Sequence, residues 1–309
     1  MHAKIDCLSF GATRRMMGNT QSNNYKTLTP PDTPQHISIG KNKFMVKSTK
    51  HLLLNDEQRD KMRAAGRFNA ELLDHIRPQI QAGITTAEID QLVHAYTTGH
   101  GHIPAPLNYR GFPKSCCTSV NEVICHGIPD QYTLKSGDIV NVDITSIVDG
   151  WFGDQSETFL IGNVSDEARQ VTQCAFDCLY AAIDILTPGC GITEIGEAIV
   201  EVARPYNFGI VREYVGHGLG KSFHQEPSIP HYPDSRFNHM PLDPGLCFSI
   251  EPMINVGRFQ GIIDPLDNWT VRTMDSKLSA QFEHTILMTE TGPELLTTTE
   301  NGPRPGHKF

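Results

Sequence analysis

The sequence predicts an α+β fold built from two related halves that pack into one domain, with a cleft where their strands meet. Three observations carry this expectation. The triplet Gly83-Ile84-Thr85 returns 108 positions later as Gly191-Ile192-Thr193, each time between a long helix and a shorter one. Each half then turns from helices to strands in the same order, which makes a three-residue match meaningful. Residues 139–161, IVNVDITSIVDGWFGDQSETFLI, alternate Val, Ile, Phe and Trp around Asp149-Gly150 in the manner of a two-residue β-hairpin.

The elements follow in order. Residues 1–47 are rich in Asn, Thr, Pro and Lys and carry TPPDTP at 29–34. They show no periodicity and read as disordered or loosely draped over the body. Pro31-x-x-Pro34 is a weak match to a Pro-rich recognition segment. The body begins near Leu54, where Asn55 or Asp56 can cap a helix with Met62, Ala65, Phe68, Leu72, Leu73 and Ile76 on its apolar face and Pro78 at its end. AGITTAEIDQLVHAYTTGHG gives a Thr-capped second helix closed by glycines. After the hairpin, Ser165 or Asp166 caps a helix to about Leu186, and PGCGITEIGEAIVEVARPYNFG carries the repeated turn and its helix. LCFSIEPMI and SAQFEHTILMT supply strands of the second half. The expected division is a basic, flexible extension over 1–50, a body over 51–300 and a polar tail over 301–309.

Bulk properties narrow the class. A chain of 309 residues, 39% hydrophobic, can bury a full core. No run reaches the ~18 apolar residues that cross a bilayer, and MHAKIDCLSF lacks the apolar centre of a secretory signal. A cytoplasmic protein without membrane attachment is expected. The eight cysteines include no CxxC pair, so they read as reduced, small apolar residues and not as a zinc knuckle. Residues 1–50 hold eight Lys/Arg against Asp6 and Asp32, a net of +6, which leaves −15 on the rest of a chain whose total is −9. Such an arm is either a solvated tail or a contact for RNA or a ribosomal surface; its acid-poor composition also fits an organellar address.

The chemistry begins with misplaced charge. A two-residue turn pairs Val148 with Trp151, so Asp154 faces Thr145 and Asp143 lies two residues away on the same face. The two carboxylates become diagonal neighbours, ~7–8 Å apart at the backbone. On the hairpin alone, a face open to water explains them as well as a buried site does. Glu251 inside LCFSIEPMI and Glu283 inside SAQFEHTILMT shift that balance, because neither has an Arg or Lys neighbour on its own strand. Four acids among apolar residues call for a shared cation. His217 in VGHGLG offers an imidazole, which widens the choice of metal to Mn, Fe, Co or Zn. Four carboxylates and one histidine exceed a tetrahedral set and suit two divalent ions sharing bridging carboxylates, a centre for metal-assisted hydrolysis.

From about residue 54 to 297 the sequence resembles the type I methionine aminopeptidases of the creatinase or pita-bread fold. The motifs are NYRGFPKSCCTSVNEVICHGIPD, GDIVNVDITSIVDGWFGD, GHGLGKSFHQEP, FSIEPM, WTVRT and SAQFEHTI, in the family's order. The resemblance implies a pseudo-twofold repeat of helix-helix-strand units around a curved antiparallel sheet, with Asp143, Asp154, His217, Glu251 and Glu283 as ligands of two metal ions. It implies that His126 contacts the substrate's amino end and the scissile amide, that His224 bonds the peptide carbonyl, and that Glu251 doubles as proton shuttle. A methionine pocket would be lined by Tyr109, Phe112, Cys117, Phe223 and Trp269. The implied reaction is removal of an N-terminal methionine from nascent chains when the next residue is small, by a monomer that binds no DNA. Pro106 departs from the pattern, which often has Cys there, and suggests a reshaped pocket. The 34-residue gap from His217 to Glu251 leaves no room for the helical insertion of type II enzymes. A prolidase or aminopeptidase P would share the ligand set but lacks NYRGFPKS, and non-catalytic adaptors of this fold typically lose ligands.

Overall fold

The computed structural model describes residues 49–237 and 240–309, so what was expected of the basic arm lies outside the described residues. The first half opens with helices α1 (Asp56–Ile76) and α2 (Thr86–Gly99). It continues in strands β1 (Ile103–Pro104), β2 (Cys117–Val120), β3 (Val123–Cys125), β4 (Ile139–Val148) and β5 (Trp151–Leu160). The second half opens with α3 (Asp166–Asp184) and α4 (Ile192–Ala203). Its strands are β6 (Gly209–Ile210), β7 (Gly216–Gly218), β8 (Gln225–Ile229), β9 (Cys247–Ile250), β10 (Met253–Asn255), β11 (Gly261–Ile263), β12 (Val271–Thr273), β13 (Ser279–Gln281), β14 (His284–Thr289) and β15 (Gly292–Leu295).

The caps fall on the polar residues that sequence offered. Asn55 Oδ1 accepts the Gln58 N–H at 3.0 Å while Gln58 Oε1 accepts the Asn55 N–H, a reciprocal box that starts α1. Ser165, not Asp166, caps α3 by accepting the Ala168 N–H at 3.2 Å. The repeat holds in order but not in capping register. Thr85 is the cap of α2, whereas Gly191 takes that place before α4, two residues ahead of Thr193. With no side chain at Gly191, its N–H is met by Glu194 Oε1 at 2.7 Å.

Every strand pair in the described residues is antiparallel. In the first half β4 is central, pairing with β1, β2 and β5. In the second, β14 and β9 lie side by side, flanked by β15 and by β7 and β8. Two apolar clusters cover these sheets. One joins Leu72, Leu73 and Ile76 of α1 to Val140, Val142 and Ile144 of β4. The other joins Phe176 and Leu179 of α3 and Ile195 and Ile199 of α4 to Phe248 and Ile250 of β9. The helices thus sit on the sheets' outer faces and leave the inner faces for the site. The α+β, pita-bread architecture expected from sequence is present.

The 301–309 segment departs from expectation. It is polar in composition, yet Phe309 packs on Phe176 and Phe282 with ring centroids 5.3 and 5.5 Å away, and its N–H reaches Gln173 Oε1 at 3.1 Å. The seven cysteines within the described residues are all buried free thiols. No helix there is long and apolar enough to cross a membrane.

One contact sets the distance between α1 and the hairpin. A β-carbon on Gly153 would lie 2.4 Å from the Ala65 carbonyl oxygen, and one on Gly66 would lie 2.5 Å from that of Leu296. Backbone therefore rests on backbone at both surfaces of α1. Gly153→Ala should destabilise the protein by about 1–3 kcal/mol through overpacking. Gly99→Ala, with nothing within 4 Å, should change it by less than ~0.5 kcal/mol. Urea midpoints compare the two, and equal effects would mean that α1 shifts to make room.

Candidate metal centre

The hairpin has the register its turn dictates. Asp149 (φ 50) and Gly150 (φ 81) both take the left-handed conformation of a two-residue turn. Val148 then pairs with Trp151 and Thr145 with Asp154, so Asp143 and Asp154 share a face. The second half delivers its acids differently from the sequence expectation. LCFSIEPMI is not one strand: β9 ends at Ile250 and β10 begins at Met253, with Glu251-Pro252 between them. Pro252 has no N–H and cannot extend the ladder. SAQFEHTILMT likewise divides at Phe282-Glu283. Glu251 and Glu283 therefore stand at breaks between strands, where a side chain can turn into the cleft. Glu283 donates its N–H to the Ser156 carbonyl of β5 at 3.0 Å, an isolated bridge that ties the two halves together at the site.

These breaks bring the residues to one point. Asp154, His217 and Glu283 each offer a ligand atom within 4.8 Å of the others. His217 Nε2 is 3.6 Å from Asp154 Oδ2 and 3.6 Å from Glu251 Oε1. Asp143 and Glu251 stand outside the tightest group; burial raises the Asp143 pKa and the Asp154 charge adds to that rise. His217 Nδ1 lies 3.1 Å from the Gly218 carbonyl, which only an N–H can satisfy. That bond puts the proton on Nδ1 and leaves the Nε2 lone pair aimed at the carboxylates.

A ring of neutral donors holds the acids, and of these only Thr145 stands out in the sequence. Thr145 Oγ1 donates to Asp154 Oδ1 at 2.7 Å. Thr285 Oγ1 accepts the Asp154 N–H and donates to its carbonyl, at 3.2 and 2.7 Å. Ser249 Oγ accepts the His217 N–H at 3.0 Å and donates to Glu251 Oε1 at 2.8 Å, so one hydroxyl links two site residues. Gln281 Nε2 reaches Glu251 Oε2 at 3.3 Å. Period-two placement of hydroxyls beside the acids was the available signal.

Among the described residues no Lys or Arg ion-pairs with Asp143, Asp154, Glu251 or Glu283. Burial raises the Asp154 pKa to about 7 and drives Asp143, Glu251 and Glu283 well above the carboxylate range, with mutual repulsion adding to the last three. Burial lowers His217 to about 4, so its ring is neutral. Four buried acids, a neutral imidazole with its lone pair inward and no protein cation form a donor set that fits divalent metal ions.

The aromatic residues form two walls beside this centre. In one, Tyr109 packs on Phe223 at 4.9 Å and its hydroxyl is 3.0 Å from His224 Nδ1. The His224 ring lies 4.3 Å from that of His217. In the other, Phe112 meets Trp269 edge-on at 5.2 Å, and Trp269 is 6.1 Å from His126. Cys117 on β2 pairs with Asp143 on β4. Pro106 sits beneath the first wall, its carbonyl accepting the Tyr109 N–H at 2.9 Å. His126 adopts φ 57, unusual for a residue with a side chain and costing roughly 1–3 kcal/mol. Tyr214 packs edge-on against its ring at 5.3 Å, a neighbour no sequence signal marked. A surface hollow of about 590 Å³ between α4 and residues 232–235 contains none of these side chains.

The raised carboxylates make a pH prediction. Acids with raised pKa hold protons only in the fold, whereas the buried histidines, whose pKa burial lowers, hold fewer protons in the fold than unfolded imidazoles do up to about pH 7.5. Above that the acids set the sign, and the metal-free protein should lose stability as pH rises from about 7.5 to 8.5, by up to ~1.4 kcal/mol per pH unit for each proton held only in the fold. Saturating Mn²⁺ should reduce the slope. Thermal melts with chelator or Mn²⁺ test this, and a chelated protein that gains stability over that range contradicts it.

Comparison with known proteins agrees with this geometry. The model of metallopeptidase family M24 matches residues 60–290. The methionine aminopeptidase of Rickettsia prowazekii is 47% identical over 237 residues, covering 77% of this chain and 91% of that protein. Methionine aminopeptidase A of Synechocystis is 49% identical over 249 residues, covering 80% and 98%. The crystal structure of the Rickettsia prowazekii methionine aminopeptidase superimposes with a TM-score of 0.77 at 45% identity, over 80% of this chain and 99% of that one. An X-Pro aminopeptidase from Thermotoga maritima, at 20% identity and TM-score 0.64, shares the fold. With nearly half its residues shared along almost the full length of such relatives, the chain belongs to metallopeptidase family M24 and, within it, to the methionine aminopeptidases.

Proposed function

We propose that residues 51–300 form a methionyl aminopeptidase that hydrolyses the first peptide bond of chains beginning with methionine, nascent polypeptides above all. The observation that carries this reading is the convergence of Asp154, His217, Glu251 and Glu283, with Asp143 near enough for Asp154 to repel it and the rings of Phe223 and His224 against His217. Asp143, Asp154, His217, Glu251 and Glu283 would hold two divalent ions, of Co, Mn, Fe or Zn. Ions there supply the acidified water and the polarised carbonyl that amide hydrolysis needs.

The chain's own residues do the rest. Aromatic rings of Tyr109, Phe112, Phe223 and Trp269, with the Cys117 thiol, suit a long polarizable thioether. Burial lowers the His126 pKa to about 4, so a neutral ring, walled by Tyr214 and Trp269, orients the scissile amide. Burial and the neighbouring His217 and His126 lower His224 to about 2. The Tyr109 hydroxyl can donate to its Nδ1, the tautomer that leaves the His224 proton on Nε2 to bond the carbonyl oxygen as charge develops there. Glu251, held by Ser249 and Gln281, carries a proton from the attacking water to the leaving amine. The reaction is assigned to a cytoplasmic monomer whose basic arm contacts the ribosome; the arm's +6 charge supports that contact.

With Co²⁺ or Mn²⁺ added, a Met-Ala peptide should release methionine much faster than Met-Trp, because the position after methionine admits only a small side chain. Equal rates, or an X-Pro peptide cleaved faster than Met-Ala, would overturn the reading. His126→Ala should slow turnover about 10²- to 10⁴-fold with metal stoichiometry unchanged. Loss of metal in that variant would reassign His126 as a ligand.

A further inference from the structure

Two buried histidines, His231 and His284, lie outside both the expected ligands and the expected catalytic pair. His231 follows β8 and has no accessible surface. Its Nε2 is 3.1 Å from the main-chain nitrogen of Glu251. The Glu251 N–H sits just beyond the β9–β14 ladder, whose last pair is Ile250 with His284. Pro252 stops the chain from making another rung. Left unmet, a buried N–H there would cost about 1–3 kcal/mol and the break between β9 and β10 would be free to turn.

The imidazole does what a neighbouring strand's carbonyl would otherwise do, from outside the sheet. Only an unprotonated Nε2 can accept, so the ring is the neutral tautomer with its proton on Nδ1. Nδ1 has no partner among the described side chains. A Leu or Phe of similar size would have filled the same space without leaving a buried nitrogen unmatched. The retained cost points to the other nitrogen, the one on Glu251.

Three neutral groups then hold Glu251 from separate directions: Ser249 on Oε1, Gln281 on Oε2 and His231 on the main-chain N–H. The first two hold the carboxylate's tip and could follow it if the backbone turned. His231 alone anchors the point from which the side chain leaves the chain. We infer that His231 is a positioning residue that fixes the main-chain orientation of Glu251, and through it the direction in which this carboxylate enters the metal centre.

The inference rests on the assignment of Glu251 as a metal ligand. Its test compares two amides in the full-length protein. In His231→Gln the side-chain oxygen takes the place of Nε2 and keeps an acceptor for the Glu251 N–H. In His231→Asn the oxygen takes the place of Nδ1 and falls short of it. Both are polar, buried and smaller than imidazole, so a purely structural role would affect them alike. Mn²⁺ titration of chelated protein by calorimetry should give His231→Gln an affinity within about threefold of the natural chain, and His231→Asn one weakened about 10- to 100-fold. Methionine release at saturating Mn²⁺ should fall in kcat for Asn and not for Gln, with KM little changed in either. Equal affinities for the two variants, or a weaker one for Gln, would overturn the role of His231. Failure of the natural chain itself to bind Mn²⁺ would instead overturn the metal centre.

Discussion

Four carboxylates share one apolar cleft with no protein cation among the described residues to balance them, and the rest of the molecule is arranged around that constraint. Their mutual repulsion and lost hydration oppose folding at neutral pH, as the raised pKa values of Asp143, Asp154, Glu251 and Glu283 record. The two largest sheets, packed on their outer faces against the four helices, hold the acids against that repulsion. The fold thereby stores an affinity for multivalent cations that an unstrained, solvated set of the same side chains would lack.

Neutral hydrogen bonds determine how that affinity is aimed. Thr145, Thr285, Ser249 and Gln281 contribute no charge and so do not compete with a cation for the carboxylates' field. They do fix which lone pairs point inward. The histidines obey the same logic. His217 spends Nδ1 on a carbonyl, His224 meets a tyrosine hydroxyl, and burial keeps both rings neutral. A ring that is neutral at working pH can lend a lone pair or a single N–H in a chosen direction, which a charged imidazolium cannot.

How much of this is legible in the sequence depends on the range of the interaction that decides each feature. The hairpin register follows from a two-residue turn and strict alternation, both local, so the residue pattern by itself puts Asp143 and Asp154 on one face. The caps at Asn55 and Ser165 are local too. Glu251 and Glu283 stand out as members of the site; Pro252 marks the strand break at Glu251 locally, whereas the break at Glu283 goes with a bridge to Ser156 far away in sequence and is not legible. The helix-turn-helix repeat is legible as an order of elements, whereas the shift of the second cap to Gly191 is not, since the GIT triplet suggests equivalence. Phe309 reads as part of a polar tail because its partners, Phe176 and Phe282, are brought to it only by tertiary packing. His231 and Tyr214 carry no pattern of their own and become meaningful only through what they touch.

The bare contact between α1 and β5 has a mechanical consequence. Side chains are the compliant part of protein packing, since rotamer changes absorb small displacements without moving the backbone. At Gly153 and Gly66 that compliance is missing on both surfaces of the helix. Any force that displaces α1 is therefore transmitted directly to the residue after Gly153, which is Asp154. The helix serves as a stiff backing plate for one carboxylate of the centre, and the geometry there is set by the thickness of a main chain, a dimension that repacking cannot tune.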